Sequence, residues 1–540
     1  MTTHTPTVQP ITTDTISEAE KVIGLQFTAA ERELMRDGLN QRLVDYEKLR
    51  AIPLANDVAP ALIFEPRQAG VTLALPAQPR PPINVSHTPA IERPQNLAEV
   101  AFYPVTHLAK LLTTKQVTSL ELTQLYLARL KRYDPALQCV VTLLEERALA
   151  QAARADAEIA AGQYRGPLHG IPWGVKDLLA VRGVPTTWGA LPYKDQMIDL
   201  DATVVQRLDA AGAVLVAKLT TGSLAWNDVW FGGMTKNPWD REQGASGSSA
   251  GSASATAAGL VGFAIGTETM GSITSPCARC GVTGLRPTYG RVSRHGAMAL
   301  SWSMDKIGPI ARSVEDCALV FDAIHGPDGQ DITVVDRPFT WNSTVDFRDL
   351  RIGYAQRAFA TESETQAYDD ATLAVFRALG ATLIPIELPA YPLDAMMLIL
   401  YAEAAAAFDE LTRSNRDDLL VRQGEEAWPN SFRKARLLPA VEYIQLNRLR
   451  TQIIQAQARV METVDVYLQP NIWGSDQAIT NFTGHPAVVL PNGFSAAGIP
   501  ISSMIFIGQL YGEAQALAVA KAYQDATPFH QAHPLLAALA

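Results

Sequence analysis

A segment rich in glycine and hydroxyl residues, at positions 244–284, contains the side chains best suited to nucleophilic chemistry. It includes the stretch GTETMGSITSP at 266–276, where serine and threonine stand beside glycine. Glycine permits tight turns, and successive backbone N–H groups in such turns can converge on one oxygen. A serine there can attack a carbonyl carbon when a neighbouring base takes its proton. A flexible linker fits the segment poorly, because it also contains the apolar run AAGLVGFAIG.

One candidate nucleophile is Ser249, at the centre of GSSAG at 247–251. This pattern satisfies G-x-S-x-G, the nucleophile elbow of α/β-hydrolases, which requires a preceding strand and a later acid and histidine. The preceding residues, NPWDREQGAS, are not strand-like, although histidines do follow, at His295, His325 and His485. Because the pattern arises easily in a chain segment rich in Gly and Ser, Ser249 stays an alternative.

A candidate base is Lys176, in the apolar context IPWGVKDLL at 171–179. Lysine can accept a proton only when neutral, and burial lowers its pKa by disfavouring the ammonium form. The apolar neighbours predict such burial. The local sequence alone favours an ordinary solvated lysine beside Asp177, and only the other motifs of the chain favour a catalytic role.

Several ordered motifs together resemble the amidase signature family of Ser-Ser-Lys hydrolases, over roughly residues 100–535. The matching pieces, in chain order, are LHGIPWGVKDLLAVRGVPTT at 168–187, NPWD at 237–240, SGSSAGS at 246–252, GTETMGSI at 266–273 with Pro276, GLRPTYGRVSR at 284–294, SMDKIGPIARSVEDCALV at 303–320 and NFTGHPAVVLPNGF at 481–494.

The resemblance implies a catalytic triad in which Ser272 is the nucleophile, Ser248 the bridging serine and Lys176 the base. It also implies a cis peptide bond between Gly247 and Ser248. An oxyanion hole is implied at successive backbone N–H groups, where such donors stabilise a tetrahedral intermediate; these belong to Thr269, Met270, Gly271 and Ser272.

The chain departs from the family pattern at two positions: Thr274 stands where arginine is usual, and Ala250 replaces a glycine. Neither change removes one of the three catalytic groups. Aromatic residues just before the Gly/Ser segment are predicted to line a substrate pocket, with core packing as the equal alternative; they are Trp226, Trp230 and Phe231.

The elements that must position these residues alternate between helix and strand from about residue 100 onward. ATVVQRLDAAG at 202–212 predicts a helix and AVLVAKL at 213–219 a buried strand, and 370–380 with 381–388 repeat the arrangement. VDVYLQP and HPAVVLP predict two further buried strands. The pattern predicts an α/β fold with a large mixed, mostly parallel-type sheet covered by helices on both faces.

Three regions are expected: an N-terminal helical extension at 1–75, a proline-rich connector at 76–95 and the catalytic domain at 96–540. Capping boxes SEAE at 17–20 and TAAE at 28–31 predict a short helix followed by a long one. This helix pair is expected to be a packing or dimerisation appendage, which makes a homodimer one expected assembly.

The bulk composition limits the partners. The net charge of -10 and pI of about 5.5 disfavour contact with nucleic acid or with acidic membranes. No secretory pattern or membrane span is recognised, and four cysteines fit a reducing cytoplasm. The histidines show no metal-binding spacing and no nucleotide motif is present, so neither metal nor organic cofactor is expected.

These observations predict a cytoplasmic amidohydrolase that cleaves a carboxamide C–N bond of a small-molecule substrate through a seryl acyl-enzyme. The same machinery can cleave aryl amides, carbamates or esters, since all pass through an oxyanion. The alternative is the glutaminase (A) subunit of a tRNA-dependent amidotransferase, against which the N-terminal extension and Thr274 argue. A catalytically silent binding protein is a third reading, against which the Lys-Ser-Ser set argues.

Overall fold

The computed structural model describes residues 9–68, 83–471 and 476–536. Its N-terminal region begins with two helices. The first starts at Thr13, so the predicted start at SEAE is wrong: the Thr12 hydroxyl caps the helix by accepting the Thr15 N–H. The second starts after Thr28, whose exchange of hydrogen bonds with Glu31 confirms the second capping box. Residues 76–82 of the predicted connector lie outside the described residues.

The described residues form eighteen α-helices and fifteen β-strands. The helices are α1 Thr13–Ile23, α2 Ala29–Arg50, α3 Val105–Thr113, α4 Ser119–Leu137, α5 Glu145–Ala160, α6 Thr203–Ala210, α7 Ala250–Ala257, α8 Thr274–Cys280, α9 Val314–Ile324, α10 Gln356–Ala360, α11 Gln366–Ala378, α12 Leu393–Met396, α13 Leu398–Ala407, α14 Asp409–Arg413, α15 Trp428–Ala435, α16 Ala440–Met461, α17 Asp476–Thr483 and α18 Glu513–Asp525. The strands are β1 Val140–Leu143, β2 Pro172–Lys176, β3 Val214–Leu219, β4 Val229–Trp230, β5 Gly233–Met234, β6 Lys236–Asn237, β7 Asp240–Gly244, β8 Phe263–Glu268, β9 Thr283–Arg286, β10 Lys306–Ala311, β11 Arg351–Ala355, β12 Thr382–Ile386, β13 Val466–Pro470, β14 Ala487–Phe494 and β15 Pro500–Gly508.

Eleven of these strands form one mixed sheet in the order β1-β3-β2-β8-β10-β9-β14-β15-β13-β11-β12. Parallel pairs occur on both sides of the centre, at β3-β2-β8 and β13-β11-β12. The other six pairings, including the whole centre, are antiparallel. The predicted α/β fold with a large mixed sheet is therefore confirmed, with more antiparallel pairing than a mostly parallel sheet implies.

Helices cover the sheet on both faces, as predicted. Side chains of a strand point alternately to opposite faces. In β14, Val488 and Leu490 belong to a core with residues of α9 and α18. The alternate residues Ala487 and Val489 belong to a separate core with residues of α7 and α8. No helix within the described residues is long and apolar enough to cross a membrane.

The motifs that are predicted to be catalytic meet at the carboxyl end of two adjacent parallel strands. β2 and β8 pair in parallel, with Val175 opposite Ile265, so Lys176 ends beside the last residues of β8. The loop after β8 leads into α8, and α7 begins directly after the serine pair of the Gly/Ser segment. Carboxyl ends of parallel strands are the usual position of sites in α/β sheets.

Candidate active site

Lys176 is completely buried and surrounded by hydroxyl groups. Its Nζ lies 2.7 Å from Ser248 Oγ, 3.0 Å from Ser249 Oγ and 2.8 Å from Thr267 Oγ1. A neutral amine has two N–H donors and one lone pair, so it can donate to two of these hydroxyls and accept from the third. The partnership with Thr267 was not predicted, because a threonine of the oxyanion segment carries no sequence signal for it.

The charge state of Lys176 follows from its surroundings. Burial lowers its pKa well below the ordinary value of 10.5, against the opposing pull of Asp305 and Glu268. The adjacent Asp177 does not pair with it, because the Asp177 carboxylate lies 2.6 Å from the buried ammonium of Lys218. The structure therefore differs from a solvated lysine beside an aspartate, and the arrangement favours a neutral amine.

Ser248 is also fully buried and follows a cis peptide bond from Gly247, as the family resemblance implies. Only glycine fits before it, because a Cβ at position 247 would lie 1.8 Å from the carbonyl oxygen of Asn227. The Ser248 hydroxyl is thereby held against Lys176. Glycine is required at position 251 for a similar reason, since a Cβ there would lie 2.4 Å from the Thr220 backbone nitrogen.

Ser249, the alternative nucleophile, is held away from the solvent. Its hydroxyl donates to the Thr267 carbonyl and accepts from the Thr267 N–H, each at 3.1 Å, besides its contact with Lys176. It is fully buried, and none of these partners is a histidine. No strand immediately precedes it, since β7 ends at Gly244. This geometry disfavours the elbow interpretation.

The predicted oxyanion hole lies in the loop between β8 and α8. Among the described residues, no hydrogen bond uses the N–H groups of residues 269–272, so these donors are free for a ligand. Gly271 adopts a φ of +92°, which glycine accepts without strain. The loop is anchored next to these donors, because the Glu268 carboxylate accepts the N–H groups of Ile273 and Thr274 at 2.8 and 2.9 Å.

A pocket of about 280 Å³ opens beside this loop and is lined by Ser272. Ser272 is half-buried, and its backbone carbonyl accepts the Ser249 N–H, so it lies next to the serine pair. Within the described part of the chain its hydroxyl makes no hydrogen bond. A serine that lines such a pocket is accessible to the carbonyl carbon of a bound ligand.

Of the three predicted pocket aromatics, only Trp226 lines this cavity. Trp230 and Phe231 lie outside its lining and pack edge-to-face on each other, at a centroid distance of 4.8 Å. The wall is completed by residues that the sequence interpretation did not identify. They come from α13, from the start of α15 and from the loop just before it, about 130 to 160 residues after Ser272, and include Tyr401, Glu426 and Trp428.

The arrangement suits nucleophilic acyl transfer by side chains of the protein itself. A buried amine contacts the Ser248 hydroxyl, the half-buried Ser272 is joined through its carbonyl to the N–H of the next residue, Ser249, and free N–H groups lie beside Ser272. Within the described ranges, no group of three His, Cys, Asp or Glu side chains is placed to hold a metal ion.

Comparison with known proteins gives consistent matches. The family model described as Amidase matches residues 121–475. The (A) subunit of glutamyl-tRNA(Gln) amidotransferase from Methylococcus capsulatus is 36% identical over 475 residues, covering 79% of this chain and 97% of that protein. Its counterpart from Roseiflexus sp. is 37% identical over 468 residues, covering 78% and 95%. The solved native peptide amidase from Stenotrophomonas maltophilia has a TM-score of 0.71 at 30% identity, covering 79% and 97% of the two chains.

These relatives correct one prediction. The sequence predicts a small-molecule amide substrate, no nucleic acid and at most a homodimer, but the curated relatives are named as one subunit of an amidotransferase whose name contains tRNA. The acidic net charge bears only on direct contact with phosphates. It carries no information about an enzyme in which other subunits make that contact.

Proposed function

The chain belongs to the amidase family and is a hydrolase of carbon–nitrogen amide bonds, and we propose that it acts through a seryl acyl-enzyme formed on Ser272. In this proposal the Ser272 oxygen bonds to the carboxamide carbon while its proton passes through Ser248 to Lys176. The C–N bond then breaks, and the same relay returns the proton to the leaving amine. Water next attacks the ester, which releases the acid and restores Ser272.

The contact between Lys176 Nζ and Ser248 Oγ, at 2.7 Å in a fully buried site, carries this proposal. A base for serine must be neutral at working pH, and burial lowers the pKa of Lys176 in that direction. The direction of proton transfer is supported by the absence of a carboxylate partner for Lys176 among the described residues, since Asp177 is occupied by Lys218.

The tetrahedral intermediate is proposed to be stabilised by N–H groups of residues 269–272. Preorganised donors of this kind typically contribute on the order of 10²–10³ in rate for each one. Two observations support the assignment: these N–H groups have no partner among the described residues, and the loop that carries them lies at the pocket.

Adduct mapping tests the proposed nucleophile. The purified chain is treated with a sulfonyl fluoride, and the modified peptide is identified by mass spectrometry. We expect modification of Ser272, and the Ser272→Ala variant is expected to lose both the adduct and amide hydrolysis. Ser249→Ala is the matched control for the adduct: Ser249 is a neighbouring, fully buried serine that does not line the pocket, so the adduct on Ser272 should persist in this variant. An adduct on Ser249 would overturn the assignment.

A second candidate is specifically favoured by the curated relatives: the glutaminase (A) subunit of a tRNA-dependent amidotransferase. Relatives with this name are matched over 95% to 97% of their length. The amide would then be that of glutamine, and the released ammonia would be used by partner subunits. Co-expression with the partner subunits of such an enzyme, followed by a transamidation assay on charged tRNA, tests this role. Activity that depends on Ser272 and on glutamine would support it, while glutamine-independent hydrolysis alone would contradict it.

A cytoplasmic location is part of the proposal. It is supported by four cysteines that are all free and buried among the described residues, as is typical of proteins in a reducing compartment. Measurement of the free thiols in protein isolated under non-reducing conditions tests this point.

A further inference from the structure

The described lining of the pocket that contains Ser272 carries a single negative charge. Among its described lining residues, Glu426 alone carries a charge, and the other members are apolar, aromatic or neutral polar. Glu426 is exposed to solvent and makes no ion pair or hydrogen bond within the described part of the chain. Its carboxylate is therefore available to a ligand in the pocket.

Aromatic side chains form the wall next to Glu426. The ring of Trp428 lies 6.0 Å from that of Trp226, at an angle of 54°, and 6.5 Å from that of Tyr401, at 77°. Flat aromatic walls accept aryl or alkyl groups, and their faces also attract cations. Burial raises the pKa of Tyr401, with the Glu426 charge acting in the same direction, so the phenol stays neutral beside the carboxylate.

Arg422 contacts this aromatic wall but does not change the negative charge of the pocket lining. Arg422 lies over the Trp226 ring, with its guanidinium carbon 5.5 Å from the ring centroid. It is not among the residues that line the cavity. A ligand inside the pocket thus has the Glu426 carboxylate among the groups that line its cavity, whereas Arg422 is not one of them.

We propose that Glu426 selects substrates by charge, so that the pocket takes amides with an aromatic or alkyl body and a neutral or cationic distal group. A carboxylate at that distal position is disfavoured. The inference rests on the proposed function, because it assigns this cavity to the substrate of Ser272. At about 5 Å from the Glu426 carboxylate, a cationic group is attracted and an anionic group is repelled. Together these two effects make a cationic ligand bind roughly tenfold more tightly than an anionic one, even at the dielectric constant of water. The separation narrows as salt concentration rises.

Binding to the Ser272→Ala variant tests the inference without requiring turnover. Three probes share one body, 3-phenylpropanamide, and carry a para methyl, aminomethyl or carboxylate group. Their dissociation constants are measured by calorimetry at low salt. We expect the aminomethyl probe to bind roughly tenfold more tightly than the carboxylate probe. In the Ser272→Ala, Glu426→Gln protein that ratio should fall towards one.

Glu425→Gln is the matched control, because this substitution removes one negative charge from a neighbouring glutamate that does not line the pocket. The ratio should persist in the control. A ratio unchanged by Glu426→Gln, a preference for the carboxylate probe, or failure of all three probes to bind would each overturn the inference. The proposed function is judged separately, by hydrolysis of the methyl probe in the unmodified chain. Charge-selective binding without Ser272-dependent hydrolysis would refute the proposed function and leave the selection by Glu426 standing.

Discussion

Replacement of Lys176 by methionine is expected to abolish amide hydrolysis and yet change stability in a direction that depends on pH. Methionine has a similar length and suits an apolar site, but it cannot accept the proton of Ser248. In the folded protein Lys176 is buried, which lowers its pKa well below 10.5, whereas in the unfolded chain it titrates normally. The proposed role as base requires a neutral Lys176 in the folded protein, so unfolding of the unmodified protein is expected to take up one proton at this residue.

The size of the effect follows from that proton. Keeping an ordinary lysine neutral at pH 7.5 costs about 4 kcal/mol, since that pH lies roughly 3 units below its pKa and each unit is worth about 1.4 kcal/mol. Loss of the three hydroxyl contacts of Lys176 offsets about 3 kcal/mol of this, at about 1 kcal/mol for each hydrogen bond. The net change near neutrality is small, so the pH dependence is the decisive quantity.

The sign of that dependence is fixed by linkage. The folded pKa is lowered, so Lys176 contributes its full stability only above the unfolded pKa and loses it progressively as the pH falls towards the folded pKa. The free energy of unfolding of the variant minus that of the unmodified protein should therefore decrease by about 1.4 kcal/mol for each unit of rising pH in this window. From pH 7 to 9 the change is about 3 kcal/mol.

Equilibrium unfolding in urea, followed by the fluorescence of the nine tryptophans, measures this difference at each pH. Recovery of the signal on dilution verifies reversibility. Lys194→Met is the control for losing a lysine, because Lys194 is exposed. A free-energy difference that stays constant from pH 7 to 9 would show that Lys176 is charged when folded, and it would refute the proposed role as base.

Three further predictions concern groups around the site. Gly247→Ala should prevent stable folding or destabilise the protein by several kcal/mol, because the new Cβ would lie 1.8 Å from the Asn227 carbonyl oxygen. Gly424→Ala is the control: a Cβ at position 424 has no atom within 4 Å, so the urea midpoint of this variant should be nearly unchanged. Asp177→Asn should lower the free energy of unfolding by about 3–5 kcal/mol, since it leaves Lys218 as an unpaired buried charge; an unchanged urea midpoint would contradict the buried pair. The four buried thiols should react with a thiol reagent only after denaturant is added, because burial raises their pKa values; rapid reaction of the native protein would argue against this burial.

The sequence predicted the buried strands β3, β13 and β14 and the region that carries the candidate site. The buried strand predicted at 381–388 is wrong in its burial, because β12 lies at the edge of the sheet and only Ile386 is buried in it. Helix and strand assignments at 202–219 agree with α6 and β3, because the apolar run AVLVA at 213–217 indicates a fully covered strand. The apolar pattern could not predict whether neighbouring strands run parallel or antiparallel. A strand buried on both faces has the same apolar pattern in a parallel pair as in an antiparallel one.

The pocket was predicted less well than the loop beside it. The residues of the loop are contiguous, so a motif contains them all. The pocket wall joins Trp226 to Tyr401 and Trp428 across more than 170 residues of sequence, and only the packing of α13 and α15 brings them together. Trp230 carries the same aromatic signal as Trp226, but it lies in the short β4-β5 pair and packs on Phe231.

Thr274 shows how the loss of the arginine usual in this family is accommodated. Its N–H and its hydroxyl both donate to Glu268 Oε2, at 2.9 and 3.1 Å, while Glu268 Oε1 accepts from Arg286 at 2.8 Å. Burial alone would raise the pKa of Glu268, but the ion pair with Arg286, together with the Lys306 charge and the hydrogen bond from the Thr274 N–H, outweighs burial and lowers the pKa to about 2. One cation therefore already neutralises this carboxylate. A second guanidinium at position 274 would be a buried charge without its own partner, which is costly. The threonine hydroxyl instead adds an uncharged donor, so the turn after Ser272 stays anchored to Glu268 without an arginine.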